Sequence, residues 1–88
     1  MPSIATLLWL LIKYGPTVVR IIRQIIALIE SIRNEDGGRA VSDAYERRLN
    51  ATVSFMEDAP TSRRAEARAR LHNLRHEILN DRIGRSRP

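Results

Sequence analysis

The sequence predicts an all-α fold, in which a long kinked apolar N-terminal helix is followed by an antiparallel amphipathic helical hairpin. Residues 4–32 are almost continuously apolar. Two later stretches, about 39–57 and 62–83, carry apolar residues at spacings of three and four, which is typical of amphipathic helices. Few aromatics and many Ala, Arg, Leu and Ile also favour helices over strands.

The size of the chain limits how much core it can form. Its 88 residues make at most one small domain, and so short a chain buries proportionally little surface. There is no cysteine to form a disulfide or a thiolate metal site. We therefore expect a partner, a membrane or a second copy of the chain to cover part of it.

The net charge of +5 is distributed unevenly along the chain. Residues 1–34 carry four cations and one carboxylate, residues 35–59 carry three and six, and residues 60–88 carry eight and three. An acidic middle thus separates two basic ends.

The first segment, residues 1–34, is predicted to be a hydrophobic helix for membrane attachment or self-assembly. Ser3 is a suitable N-cap for a helix that begins at Ile4. No charged side chain precedes the apolar run, unlike the positive start of a secretory signal, so we expect this segment to be retained. Gly15-Pro16 predicts a break between two helices or a kink within one.

A polar stripe follows one side of this segment. At 100° per residue, its members fall within about 40° of one line. They are Lys13, Thr17, Arg20, Gln24 and Ser31. The rest of the circumference is apolar, the reverse of an ordinary surface helix. We expect the stripe to serve assembly, or to line a lumen between copies.

Three environments could bury the first segment. As one helix it would be roughly 43 Å long, more than the roughly 30 Å of a bilayer core, so it could span a membrane. Lys13 and Arg20 near mid-span oppose insertion of a lone helix by about 2.5–3.5 kcal/mol each, which favours a pore-like assembly. The alternatives are a helix lying in the membrane interface and a helix buried in a soluble or virion-internal oligomer.

Trp9 and Tyr14 are candidate membrane-interface anchors, although both could equally be packing residues. If the segment spans, the arginines that follow it place the N-terminus outside and the C-terminus in the cytoplasm.

Residues 35–38 form an acidic glycine turn, in which Gly37 or Gly38 can adopt a left-handed conformation. Residues 39–83 then form the hairpin, and residues 84–88 form a basic flexible tail. In the predicted register the acidic flank of one helix faces the arginines of the other. This register predicts ion pairs between Glu57 and Arg64 and between Glu46 and Arg75.

Other candidate sites are weak. His72 and His76 have the spacing of metal ligands, but no carboxylate or cysteine completes a set, so we expect no metal and no cofactor. Arg82, Arg85 and Arg87 are candidate contacts for phosphates of nucleic acid or anionic lipid. No nucleophile with a base and no phosphate-binding glycine loop is present, so we expect no enzymatic activity and no small-molecule substrate.

A short uncleaved hydrophobic N-terminal segment, a helical body and a basic tail form a plan that is similar to that of many small phage membrane proteins, including holins. The resemblance implies a membrane-associated protein that self-assembles through its N-terminal helix. The alternative is a virion-internal or soluble structural oligomer whose arginines contact nucleic acid or an acidic partner.

Overall fold

A computed structural model of the protein describes residues 2–86, with side chains as far as residue 84. The prediction of an all-α fold is confirmed. The helices are α1 (Ile4–Tyr14), α2 (Pro16–Arg33), α3 (Arg39–Asp58) and α4 (Arg64–Ser86), with a 3₁₀ turn at Thr61–Arg63 before α4.

Gly15 separates α1 from α2. Its φ of 95° lies in a region that L side chains rarely adopt, and its N–H donates to the carbonyl of Leu11 at 2.9 Å, which closes α1. Pro16 starts α2, where its missing N–H leaves no intrahelical bond unmade. At the other end of α1, the Ser3 hydroxyl accepts from the N–H of Thr6 at 3.1 Å.

The break divides the apolar segment into helices of 11 and 18 residues. The longer one carries four charged side chains, at Arg20, Arg23, Glu30 and Arg33. Among residues 2–86, no helix is both long enough and apolar enough to cross a bilayer.

The turn between α2 and α3 depends on two glycines. Gly37 has a φ of 73°, in the left-handed region. Gly38 lies so close to the end of α2 that a Cβ there would be 1.9 Å from the carbonyl oxygen of Ile32. This approach explains why the buried residue that precedes α3 has no side chain.

Helix α2 is the centre of the fold, since it contacts α1, α3 and α4. Its isoleucines and Val18 form one buried face, which packs against apolar residues of the other helices. From α2 the fully or almost fully buried members are Val18, Ile21, Ile22, Ile25, Ile29 and Ile32; from α3 they are Leu49, Val53 and Met56; from α4 they are Ala67, Leu71, Leu74 and Ile78.

Helices α3 and α4 contact each other with opposite chain order. The Tyr45 hydroxyl donates to the Asp81 carboxylate at 3.2 Å, and Arg48 pairs with Glu77 at 2.8 Å. The predicted register differs by about one helical turn, because it places Arg48 opposite Asn73. The later start of α4, at Arg64 after the 3₁₀ turn, accounts for about two residues of this shift. At its other end α4 runs to Ser86, past the expected end at residue 83.

Candidate membrane interface

Helix α1 exposes apolar side chains on the side that faces away from the bundle. Ile4 and Ile12 are 78% and 79% exposed, and Trp9 is 51% exposed. We call the exposed set the outer face of α1; its members are Ile4, Leu8, Trp9, Leu11 and Ile12. On the opposite side, Leu10 and Tyr14 are buried in the core. Helix α1 is therefore apolar on both sides, and only one side is covered.

Lys13, the one charged residue in the sequence of α1, is directed away from the outer face. Its ammonium donates to the carbonyl oxygens of Met56, Glu57 and Ala59 at 2.8, 2.9 and 2.6 Å. These carbonyls lie at the C-terminal end of α3, where helical carbonyls lack intrahelical partners and the helix dipole is negative. The lysine thus caps α3 and leaves the outer face of α1 without a charge.

Tyr14 strengthens the same junction. Its hydroxyl donates to the carbonyl of Met56 at 2.6 Å. Burial raises the pKa of this phenol above its ordinary value, and the nearby charge of Arg64 only partly opposes the effect. Arg64 itself donates to the carbonyl of Lys13 at 3.1 Å. The structure therefore places Tyr14 in the packed junction, while Trp9 remains on the exposed side of the helix.

Two arginines flank the outer face. Leu11 shares a surface groove of about 560 Å³ with Arg20 and Arg23 of α2. Both arginines are exposed, and neither guanidinium has an ion-pair or hydrogen-bond partner among the described residues. An uncharged apolar surface thus adjoins two uncompensated positive charges.

A second groove, of about 680 Å³, runs between α2 and α4 beside the first one. Gln24 and Ala27 of α2 line both grooves. In the second groove Arg75 donates to the side-chain oxygen of Gln24 at 2.8 Å and contacts Nδ1 of His72 at 3.1 Å. Because a guanidinium can only donate, this contact is a hydrogen bond in the His72 tautomer whose Nδ1 carries no proton.

The residues of the predicted polar stripe have different surroundings. Lys13 is turned toward α3, whereas Thr17 and Arg20 stay exposed on α2. Gln24 is exposed and accepts from Arg75, and Ser31 is half-buried.

The predicted hairpin ion pairs are not brought together in this register. Glu46 pairs with Arg33 of α2, and Arg75 bonds to Gln24. Arg64 reaches the carbonyl of Lys13, and the ammonium of Lys13 contacts Glu57 at its main-chain oxygen. The sequence-based prediction paired these charges within the hairpin. In the structure, three of the four side chains instead contact residues of α1 or α2.

The remaining candidate residues lie on or beyond α4. His72, His76 and Arg82 all line the second groove. The side chain of Arg85 and the whole of Arg87 lie outside the described residues. Within residues 2–86 no three His, Asp or Glu side chains are grouped as a metal site would require.

No protein-family model, curated protein or solved structure matches this chain. Its function must therefore be inferred from its own residues and their arrangement.

Proposed function

We propose that the protein is a non-enzymatic, membrane-associated helical protein that attaches to an anionic membrane surface through the outer face of α1. The observation that carries this proposal is the exposed, uncharged apolar face of α1 beside Arg20 and Arg23, which pair with none of the described residues. Proteins that lie on membranes combine these two features, since apolar side chains enter the acyl boundary and cations contact lipid phosphates.

The apolar contribution is large enough to matter. Burial of a Leu or Ile side chain contributes about 1.5–3 kcal/mol, and Ile4 and Ile12 are about four-fifths exposed before binding. Each arginine near an anionic surface adds about 1 kcal/mol. Partial insertion of α1 therefore gives reversible attachment, in the range expected for a surface protein.

The length of α1 supports attachment at the surface. Eleven residues form a helix of roughly 16 Å, about half the thickness of a bilayer core. In this arrangement the outer face of α1 lies against the lipid, while the apolar face of α2 stays buried in the bundle. Trp9 lies on the side that meets the headgroups, where indole rings are favoured.

Self-assembly through the same face is the second candidate function. The outer face carries no charge that would oppose contact with the α1 of a second copy, so a homo-oligomer could cover it in water. On a membrane the two modes compete for the same side chains.

Sedimentation with lipid vesicles tests the proposal. We expect binding to vesicles that contain phosphatidylglycerol and weak binding to phosphatidylcholine alone, with affinity falling as salt rises. Ile12→Glu should lower the vesicle affinity about tenfold or more, because it places a carboxylate in the inserted face. Ala69→Glu is the matched control, since Ala69 is exposed on α4 opposite its buried seam. Equal loss in both variants, or full binding by Ile12→Glu, would contradict attachment through α1.

Light scattering, together with vesicle sedimentation, distinguishes self-assembly from membrane attachment. If light scattering shows a discrete oligomer that Ile12→Glu dissociates, and vesicles bind neither form, the outer face serves self-assembly.

A further inference from the structure

The α2–α4 groove has the chemistry of a site for an anionic amphiphile. Its lining includes the apolar side chains of Ala27, Leu28 and Leu79. Its lining also includes Arg75 and Arg82, and no Asp or Glu is among the described residues that line it. Its volume of about 680 Å³ lies within the range of ligand pockets that combine apolar walls with a few polar groups.

Arg75 supplies the strongest attraction for an anion. Its described contacts are with the amide oxygen of Gln24 and a ring nitrogen of His72, and neither is a carboxylate. A guanidinium has five N–H donors, so donors remain for a ligand and the charge is not balanced by a carboxylate. Glu77, the carboxylate nearest to it in sequence, pairs with Arg48 of α3.

The groove also adjoins the surface that the proposed function assigns to the membrane. Gln24 and Ala27 lie between it and the groove that contains Leu11, Arg20 and Arg23. A lipid could therefore reach the α2–α4 groove from the bilayer on which α1 rests.

We propose that this groove binds one anionic phospholipid of the membrane, with the phosphate at Arg75 and an acyl chain over Leu28 and Leu79. This inference rests on the proposed membrane attachment. The outer face of α1 and its neighbouring arginines bind lipid without selecting a headgroup. The groove would add a site that selects one.

The two histidines of the chain provide the reporter, because both line the groove. Imidazole NMR signals of the full chain are followed while a short-chain phosphatidylglycerol is added below its micelle concentration. We expect saturable shifts of the His72 and His76 signals. Short-chain phosphatidylcholine and inorganic phosphate should give at least tenfold weaker effects.

Two groove variants and one control complete the test. Arg75→Gln should weaken the lipid midpoint about tenfold or more, read from His76, since a bond to a charged donor is lost. Leu79→Asn should also weaken the lipid midpoint, because it removes apolar contact while Arg75 and Arg82 are kept. Arg47→Gln removes an exposed cation on α3 and should leave the midpoint unchanged.

Several outcomes would overturn the groove site. Equal shifts with phosphatidylcholine remove its charge selectivity, and equal shifts with inorganic phosphate show an anion contact without a lipid site. Shifts that grow with protein concentration in the absence of lipid show that a second copy occupies the groove.

The two proposals fail separately. Ile12→Glu should lose vesicle binding and keep the histidine shifts with monomeric lipid. Arg75→Gln should keep most of its vesicle binding and lose the shifts. If the unaltered protein binds vesicles but its histidine signals do not shift with lipid, the groove site is refuted and attachment through α1 is not.

Discussion

Lys13 lies in an apolar helix because its ammonium binds the C-terminal end of α3. Its ammonium takes three carbonyls at the C-terminus of α3, which would otherwise need water. The apolar stem packs with α1, while the charge meets the negative end of the α3 dipole. One side chain thereby joins two elements that are 43 or more residues apart in sequence.

Lys13→Met should test this capping role. It keeps an unbranched apolar stem and removes the ammonium, so we expect the free energy of unfolding to fall by about 2 kcal/mol, within the range for hydrogen bonds to charged groups. Urea denaturation measures the change. Arg47→Met, an exposed cation on α3, is the control and should change stability little. Equal stability of Lys13→Met and the unaltered protein would refute the cap.

Gly38 gives a second prediction at the scale of one residue. Gly38→Ala should destabilise the fold by about 2 kcal/mol or more, because the new methyl group would collide with the main-chain oxygen of Ile32. Gly84→Ala is the contrasting variant, since nothing lies within 4 Å of its added Cβ. It should leave stability unchanged or raise it by about 0.5–1 kcal/mol. Thermal unfolding compares the two, and a similar effect of both substitutions would contradict the close approach.

These residues show where sequence reasoning reaches its limit. The glycine turn and the break at Gly15-Pro16 could be predicted, because glycine and proline act locally on the backbone. The partner of Lys13 could not, since the sequence alone does not show which helix end lies beside it. Its placement in a polar stripe used only the periodicity of its own helix.

At the scale of elements, polar pairs lie along the edge of the α3–α4 contact. The hydrogen bond from Arg48 holds the pKa of the Glu77 carboxyl below its ordinary value of 4.5. The same bond raises the pKa of Arg48. Because the folded-state pKa of Glu77 is the lower one, its stabilising effect is present above about pH 4.5 and is lost as the pH falls through its folded-state pKa.

Glu77→Gln should therefore lower the melting temperature at pH 7, and the difference from the unaltered protein should shrink as the pH falls below 4.5. Melting temperatures across pH 2–7 measure it. Glu57→Gln is the control, since its side chain has no partner among the described residues. A difference between Glu77→Gln and the unaltered protein that persists unchanged at pH 2 would show that ionisation of Glu77 is not its cause.

The sequence predicts the buried residues of α4 but not the register in which α4 packs against α3. Ala67, Leu71, Leu74 and Ile78 are all buried, as their alternating spacing predicts. The predicted register differs by about one turn. The 3₁₀ turn at Thr61–Arg63 delays the start of α4 and causes part of this difference, since helix ends are the least certain part of a sequence-based prediction.

At the scale of the molecule, the apolar residues of the N-terminal segment have two roles. Those of α2 form the centre of a small bundle, whereas those on the outer face of α1 remain uncovered. A single helical wheel drawn through residues 4–32 merges these roles, because it continues the helix across Gly15. The division at Gly15 places the exposed apolar surface on α1, beside Arg20 and Arg23, and we propose that an anionic membrane contacts it there.

Fluorescence of Trp9, the one tryptophan of the chain, tests this placement most directly. On addition of phosphatidylglycerol vesicles, the emission should shift to shorter wavelength and be quenched by brominated acyl chains, because the half-exposed indole leaves water for the lipid interface. An emission maximum that stays in place while the protein sediments with vesicles would show that another surface binds. A maximum already shifted in lipid-free solution, and insensitive to brominated lipid, would show that another protein surface covers α1.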